Sequence, residues 1–370
     1  MTEFASNIIF AGGGTGGHVY PALASIESLQ SRGNYQILYI GGYHGIENKI
    51  VHKEKIVFKK IWISGFQRYL TLRNILFPLK LIVSLIQSMV TILKFKPNVV
   101  VGTGGYVSGP VIYSAAKLGI PTLIQEQDYY PGITTRILAK YADVVCIPDP
   151  DVKKYLPRVK GKVVVTGNPV RISLRLTDRN EAAVSFGLDP QRSIIFIFGG
   201  SQGAQSINKA ISNIGNALIE RHKVQLIWQT GEKNYNEIST LELTKRNDVI
   251  IQDYISEMGR AYSAADIIVS RAGAITLAEL SKVKKGCVLI PYPHAAANHQ
   301  EKNAQAIVDA GAAVMVREDE NFEANLQNSI DKLLTNQNLT QEMGKNWQKI
   351  YQQDATVRIT DEIIGLMGKK

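Results

Sequence analysis

"IIFAGGGTGGHVYPALA", residues 8 to 24, decides the fold. An apolar, β-branched run leads into five glycines and a histidine. A helical pattern follows, with Leu23, Ile26 and Leu29 down one side and a stop at Gly33. Pro21 is expected in the first turn of that helix, where its missing N–H costs nothing. Glycines between a strand and a helix allow positive φ and a close backbone approach, and amides at a helix start carry partial positive charge. The setting suits an anion. It matches neither common nucleotide fingerprint. A phosphate-binding Walker loop needs Lys and then Ser or Thr after the last glycine, where His18 and Val19 stand. The dinucleotide pattern fits Gly12, Gly14 and Gly17, but "ILYIGGYHGIE" ends the next strand in glycines, with Glu47 only later.

His18 raises a separate expectation. A helix amino terminus disfavours the imidazolium, so the ring stays neutral near pH 7 and can accept a proton, as a general base must. A lone histidine more often only bonds its own turn. The ligand-shaped glycines around this one favour the functional reading.

Further along the chain, apolar runs recur at "QILYIGG", "NVVVGTGG", "PTLIQEQ", "DVVCI", "KVVVTGN", "SIIFIFGG", "QLIWQTG", "DVIIQDY", "DIIVSRAG" and "CVLIPYP", most of them separated by helix-length segments. Strands of this kind, apolar without strict alternation, predict parallel sheets covered on both faces: an α/β fold. Two more strands end in glycine-rich turns, "GTGGYVSG" (102–109) and "FGGSQGAQ" (198–205), a loose repeat that divides the chain. The expectation is two Rossmann-like domains facing each other across a cleft, with the boundary inside "VTGNPVRISLR" (165–175). The domains are then 1–168 and 169–349. The segment 350–370 has Val357, Ile359, Ile363, Ile364 and Met367 at helical spacing, and could pack on either domain.

Composition narrows the function classes. At 370 residues with 45% hydrophobic content, two cores can be buried. Cys146 and Cys287 stand alone, which predicts buried thiols in a reducing compartment, and the polar start "MTEFASN" has no signal-peptide pattern. The net charge of +10 is concentrated: nine cations and no acid lie between Glu54 and Glu126. That segment holds "LRNILFPLKLIVSLIQSMVTILKFK" (72–96), whose longest uncharged stretch is 13 residues, short of the roughly 20 a spanning helix needs. Cations beside large aliphatics argue against nucleic acid, which calls for aromatic stacking groups. An anionic lipid surface met by the segment 68–96, and a buried helix with solvated lysines, both remain open. His294 and His299 lie five apart, one more than the spacing that puts two ligands on one helix face, so no metal site is expected.

The motifs "GGGTGGHVYPALA", "GTGGYVSGP", "EQDYYPGITTRILAKYAD", "TGNPVR", "FGGSQGAQSIN", "SRAGAITLAEL" and "PYPHAAANHQEKNA" together resemble the MurG family of glycosyltransferases over almost the whole chain. The resemblance implies the glycosyltransferase-B fold and an inverting transfer of N-acetylglucosamine from UDP-N-acetylglucosamine to the undecaprenyl-linked muramoyl-pentapeptide. It implies a peripheral enzyme on the cytoplasmic face of the membrane, with no required metal, magnesium stimulation left open, and a carboxyl-terminal helix returning to the first domain. By the same resemblance, Thr15, Gly16 and Gly17 meet the diphosphate and sugar, Arg171 and Ser201 serve the donor, and Ile255 lies by the uracil. Ala274, Ile275, Thr276, Leu277, Ala278 and Glu279 wrap the nucleotide, Glu279 taking the ribose hydroxyls, and Gln300 reads the sugar. His18 is the first choice of base, with Glu126 or Asp128 contributing. Gly104, Gly105, Tyr106, Ser108 and Gly109 are expected to face the acceptor.

The chain departs from the family at Asp128, where an asparagine is usual; an ionised Asp accepts hydrogen bonds but cannot donate them. "HAAANHQ" and "SKVKKGC" differ too, without removing an expected ligand. Two rival readings are a diacylglycerol glycosyltransferase of the same fold, disfavoured by "GGHVYPALA" and "GTGGYVSGP", and a non-catalytic, nucleotide-switched membrane module.

Overall fold

The computed structural model describes residues 6–65, 76–295, 298–350 and 354–368. The chain forms two compact α/β units. One runs to Ile172 and takes back the carboxyl-terminal helix; the other begins at Ser173.

In the first unit, strands β1 (Ser6–Ala11), β2 (Tyr35–Gly42), β3 (Val57–Ile61), β4 (Val99–Gly102), β5 (Thr122–Gln125), β6 (Val144–Ile147) and β7 (Lys162–Val165) form one parallel sheet in the order β3-β2-β1-β4-β5-β6-β7. Helices α1 (Gly16–Arg32), α2 (Glu47–Lys53), α3 (Phe77–Phe95), α4 (Gly105–Lys117) and α5 (Ile133–Leu138) lie between the strands. Alternate residues of β1 serve opposite faces. Ile9 and Ala11 join a core with Val107, Val111 and Ile112 of α4, whereas Ile8 and Phe10 join one with Val19, Leu23 and Ile26 of α1. Both faces are covered, so the strand reads as an unbroken apolar run.

The second unit has β8 (Ile194–Phe198), β9 (Gln225–Gln229), β10 (Val249–Gln252), β11 (Ile267–Arg271), β12 (Gly286–Ile290) and β13 (Val314–Met315) in the order β10-β9-β8-β11-β12-β13, again all parallel. Its helices are α6 (Arg179–Ser185), α7 (Gln205–His222), α8 (Glu232–Ile238), α9 (Met258–Ala264), α10 (Ala274–Val283), α11 (His299–Asp309), α12 (Phe322–Thr335) and α13 (Gln337–Ile350). The last helix, α14 (Ala355–Met367), buries Ile359, Ile363 and Leu366 in the α1 side of the first unit's core.

Strand order reverses between β1 and β4 in one sheet and between β8 and β11 in the other. At such points the loops leaving neighbouring strands diverge and open a crevice at the carboxyl ends. All three glycine-rich turns sit at these two places.

Three local expectations change. The first helix begins at Gly16, so Pro21 stands in its second turn, where its missing N–H leaves the Gly17 carbonyl without that intrahelical donor. Strand β3, "VFKKI", was not among the apolar runs because four of its five residues keep some exposure, as suits a lysine-bearing sheet edge. Helix α3 is not a buried helix: only Ser84, Ser88 and Ile92 are buried, on the stripe toward α4, while Leu79, Leu81, Ile82, Ile86, Met89, Val90 and Leu93 are exposed. It is also the one helix among the described residues long and apolar enough to cross a membrane by length and composition, which the 13-residue uncharged stretch had argued against. The part of the cationic segment at 68–75 lies outside the described residues.

Candidate functional site

In the first unit, four loops meet around His18. The ring lies in the first turn of α1 and folds back, so that Nδ1 is 2.9 Å from the Gly13 carbonyl and 3.2 Å from Thr15 Oγ1. The second glycine turn closes on it from β4. Gly104 has φ +101 and ψ −179, a conformation essentially reserved for glycine, and a Cβ there would lie 2.5 Å from His18 Cδ2 and 3.3 Å from Gln127 Oε1. Gly105 packs on the Gly13 carbonyl, where a Cβ would come within 2.1 Å. Thr103 Oγ1 donates to the His18 carbonyl at 2.7 Å. These glycines hold the two turns in contact.

The expected acceptor residues of the second turn divide. Tyr106 is half-buried over Gly14 and Gly42, its hydroxyl kept from ionising by burial and then by the charge of Glu47. Gly109 is half-buried in α4. Ser108, by contrast, is buried, and its hydroxyl bonds the carbonyls of Ala11 and Gly104 and the Gly104 amide. A hydroxyl so occupied shapes the loop from beneath instead of facing an acceptor.

The third loop follows β5. Glu126 is buried and accepts from the amides of Gln127, Asp128 and Gly132 at 2.9, 3.0 and 3.0 Å. It therefore staples the turn that carries Asp128, which is half-buried. Burial, with the charge of Asp128 adding, pushes the Glu126 carboxyl from 4.5 up to about 7, against the bonds from Thr135 and the amides. The sign follows. The folded state favours the neutral acid, so this group's contribution to stability is present below pH 4.5 and lost as pH rises through about 7. Glu126→Gln is expected to flatten that loss. Urea midpoints at pH 5 and pH 7.5 check it, and equal pH slopes for the two proteins would refute it.

The fourth loop supplies a residue that sequence reasoning passed over. Glu47 opens α2, is fully buried, and accepts from the amides of Gly14 at 3.0 Å and Gly42 at 2.8 Å. A Cβ on Gly13 or Gly45 would overlap it. Thr15 and Gly17 are exposed and Gly16 half-buried, at a helix start with no side-chain cap, so the orphan amides of that first turn are on offer.

Arg171 makes other contacts than the one expected of it. Its guanidinium forms a fork with Glu54 at 3.0 and 3.2 Å, and its Nε lies 3.6 Å from Glu27, all in the first unit. Partly exposed pairs of this kind are worth about 1 kcal/mol or less, so a phosphate could displace them, but only after they open.

In the second unit, the turn after β8 carries Ser201, half-buried between Gly200 (φ +92) and Gly203 (φ +75). A Cβ on Gly203 would come 2.0 Å from the Thr230 carbonyl. Gln229 links this turn to the next: its amide donates to the Gly200 carbonyl at 2.9 Å and its Oε1 accepts from Ile255 N at 2.9 Å. The Ile255 side chain is buried, which leaves backbone as what this residue presents. Ala274, Ile275 and Thr276 form the uncapped first turn of α10, all half-buried, while Leu277 faces the core and Ala278 is half-buried.

Glu279, one turn on, accepts from the Tyr262 hydroxyl at 2.7 Å. Tyr262 is wholly buried against Phe196 and Phe198, and its hydroxyl resists ionisation through burial and the Glu279 charge. Gln300 Oε1 accepts from Tyr292 N at 3.0 Å, in the loop that Arg271 braces through the carbonyls of Ile290 and Pro291. Arg271 is buried and pairs with Glu318, another contact with no local sequence signal. Among the described residues no group of three His, Cys, Asp or Glu is placed to hold a metal ion.

Residues 8–147 match the glycosyltransferase family 28 N-terminal domain, and residues 194–359 its C-terminal domain. A relative from Flavobacterium psychrophilum is 40% identical over 362 residues, 97% of each chain, and one from Bacillus subtilis is 38% identical over 356 residues, 95% of this chain and 97% of its own. Both are named UDP-N-acetylglucosamine–N-acetylmuramyl-(pentapeptide) pyrophosphoryl-undecaprenol N-acetylglucosamine transferase. The crystal structure of Acinetobacter baumannii MurG superposes with a TM-score of 0.74 at 29% identity, covering 97% of this chain and 99% of that one.

Proposed function

The chain belongs to glycosyltransferase family 28 and within it to the MurG family, and from that premise we propose how its own residues perform the transfer. It is an N-acetylglucosaminyltransferase that moves the sugar from UDP-N-acetylglucosamine to the lipid-linked muramoyl-pentapeptide. An acceptor hydroxyl oxygen bonds to the anomeric carbon as the bond to the diphosphate oxygen breaks, and that electron pair leaves with UDP. The hydroxyl proton goes to His18 Nε2. The observation that carries this reading is the Nδ1 contact with Gly13: a carbonyl only accepts, which supports a proton on Nδ1 and Nε2 as the basic nitrogen of a neutral ring.

The second unit holds the donor. Glu279 takes the ribose hydroxyls, Ile255 meets the uracil through its backbone, and Gln300 reads the sugar. Negative charge growing on the leaving diphosphate is met by amides of the Ser201 turn and of α10, and by Thr15, Gly16 and Gly17, with no bound metal required. Asp128, held out by the Glu126 staple, accepts from a sugar hydroxyl. Tyr106, with Gly104 and Gly105, lines the acceptor side.

The acceptor is lipid-linked, and α3 offers it a surface. Exposed aliphatics beside Lys94 and Lys96 suit an anionic leaflet on the cytoplasmic side, with the enzyme peripheral to it. With acceptor in anionic vesicles, the protein is expected to bind the vesicles and release UDP. No UDP release would refute the enzyme reading. Ile82→Ser with Ile86→Ser should weaken vesicle binding at least tenfold, since each buried Ile contributes about 1.5–3 kcal/mol. Unchanged binding by the folded double variant would remove the helix from the membrane contact.

A further inference from the structure

The Gly13–Gly14 peptide is bonded on both sides. Its carbonyl accepts from His18 Nδ1 at 2.9 Å, and its N–H donates to Glu47 Oε2 at 3.0 Å. One planar, resonance-stiffened unit thus stands between an imidazole and a carboxylate. The plane is boxed in. Gly105 leaves room for the Gly13 oxygen, the Tyr106 ring covers Gly14, and the second Glu47 oxygen is fastened to the Gly42 amide at 2.8 Å.

We propose that Glu47 is a positioning residue for the proton transfer: acting through the Gly13–Gly14 peptide, its carboxylate holds His18 with the proton on Nδ1 and the lone pair on Nε2. This rests on the reading of His18 as the base. A carboxylate that accepts a peptide N–H draws density toward the carbonyl oxygen of the same unit, and hydrogen bonds in such a chain strengthen one another. The Gly13 oxygen becomes the better acceptor, so the ring is held in one tautomer and one orientation. When Nε2 takes the acceptor's proton, the imidazolium faces a negative charge two hydrogen bonds away, in a buried setting where attraction is weakly screened.

The arrangement does the work of the carboxylate in a serine-protease triad, which orients the ring and offsets its charge without becoming protonated, except that here a peptide is interposed. It also accounts for a buried carboxylate beneath a turn built for anions. Left only to fill space, such a charge would cost several kcal/mol. The Gly14 amide, spent on Glu47, is withdrawn from phosphate binding, and the exposed amides that follow it in the turn are left for that task.

Besides Glu47, the titratable groups that the loops around the ring bring closest include Tyr39 of β2, Tyr106 of α4, and Glu126 and Asp128 after β5. Tyr39 donates to the Gly12 carbonyl at 3.0 Å, and both tyrosines are kept neutral by burial and by the Glu47 charge.

The test is 15N NMR of the full chain labelled at histidine, with the His18 signals assigned by their loss in His18→Gln. The expected result is a neutral ring protonated at Nδ1; a ring protonated at Nε2 in the wild-type protein overturns the proposal with no variant needed. In Glu47→Gln, kcat should fall roughly tenfold or more, bounded by the 10²–10⁴-fold that a general base supplies. KM for UDP-N-acetylglucosamine should hold within about twofold, because Glu47 is spent on the Gly14 and Gly42 amides beneath the turn. The acidic limb of the kcat/KM profile should move down by about half to one pH unit as the imidazolium loses its partner charge. A folded Glu47→Gln protein with wild-type tautomer and acidic limb also overturns it. Failure of the base reading looks different: His18→Ala would then keep its turnover while the wild-type tautomer stood as found.

Discussion

His18→Ala is expected to lower kcat by about 10²–10⁴-fold, the range a positioned general base supplies, with the Kd for UDP-N-acetylglucosamine unchanged within about twofold. The asymmetry comes from the fold. His18 belongs to the first unit, bonded to Gly13 and Thr15 and covered by Gly104, whereas Ser201, Ile255, Glu279 and Gln300 belong to the second, and what Thr15, Gly16 and Gly17 offer the diphosphate is backbone that the substitution leaves in place. Removing the ring leaves a small gap beside glycines and should not unfold the unit. Steady-state turnover and calorimetric binding of UDP-N-acetylglucosamine check the two halves of the statement. Turnover near the wild-type level would remove His18 as the base.

Glu279→Gln is expected to weaken UDP binding by roughly tenfold or more, because hydrogen bonds to a charged group are worth about 1.5–3 kcal/mol each. A ribose contact predicts something a merely structural role does not. The preference for UDP over its 2′-deoxy analogue should collapse toward unity in the variant. Tyr262 donates to Glu279 from a fully buried aromatic cluster, so the carboxylate has one oxygen already oriented before nucleotide arrives. Should the variant keep the wild-type preference for the 2′-hydroxyl, Glu279 is not the ribose ligand.

The site was partly legible in sequence because glycine is the residue that certain backbone conformations demand. Gly14, Gly104, Gly105, Gly200 and Gly203 all have positive φ, and each falls in a turn that the apolar runs had already framed. His18 was legible for the same reason: it stood among them. Glu47 was not. In "ILYIGGYHGIE" it enters only as an acid too late for the dinucleotide pattern, and its burial arises only when the turns after β1 and β2 fold over it. Ser108 and Arg171 were legible as polar groups near motifs, but which atoms they bond depends on neighbours remote in sequence, Ala11 for one and Glu27 and Glu54 for the other.

Helix α3 shows the limit from the other side. Periodicity recorded its apolar residues without telling which stripe is inward, since "LKLIVSLIQSMVTILKF" is apolar nearly all round. The fold resolves it by turning Ser84 and Ser88 inward, where small side chains let the helix lie close, and leaving the large aliphatics outside.

By itself, then, the sequence determined the α/β class, the parallel strands and the three glycine-rich turns, because those depend on local periodicity and on backbone conformations that one residue type supplies. Tertiary structure alone decided which side of α3 is buried and which carboxylate lies behind the first glycine turn. Each of those is set by a contact between segments far apart in the chain, and local sequence carries no record of such a contact.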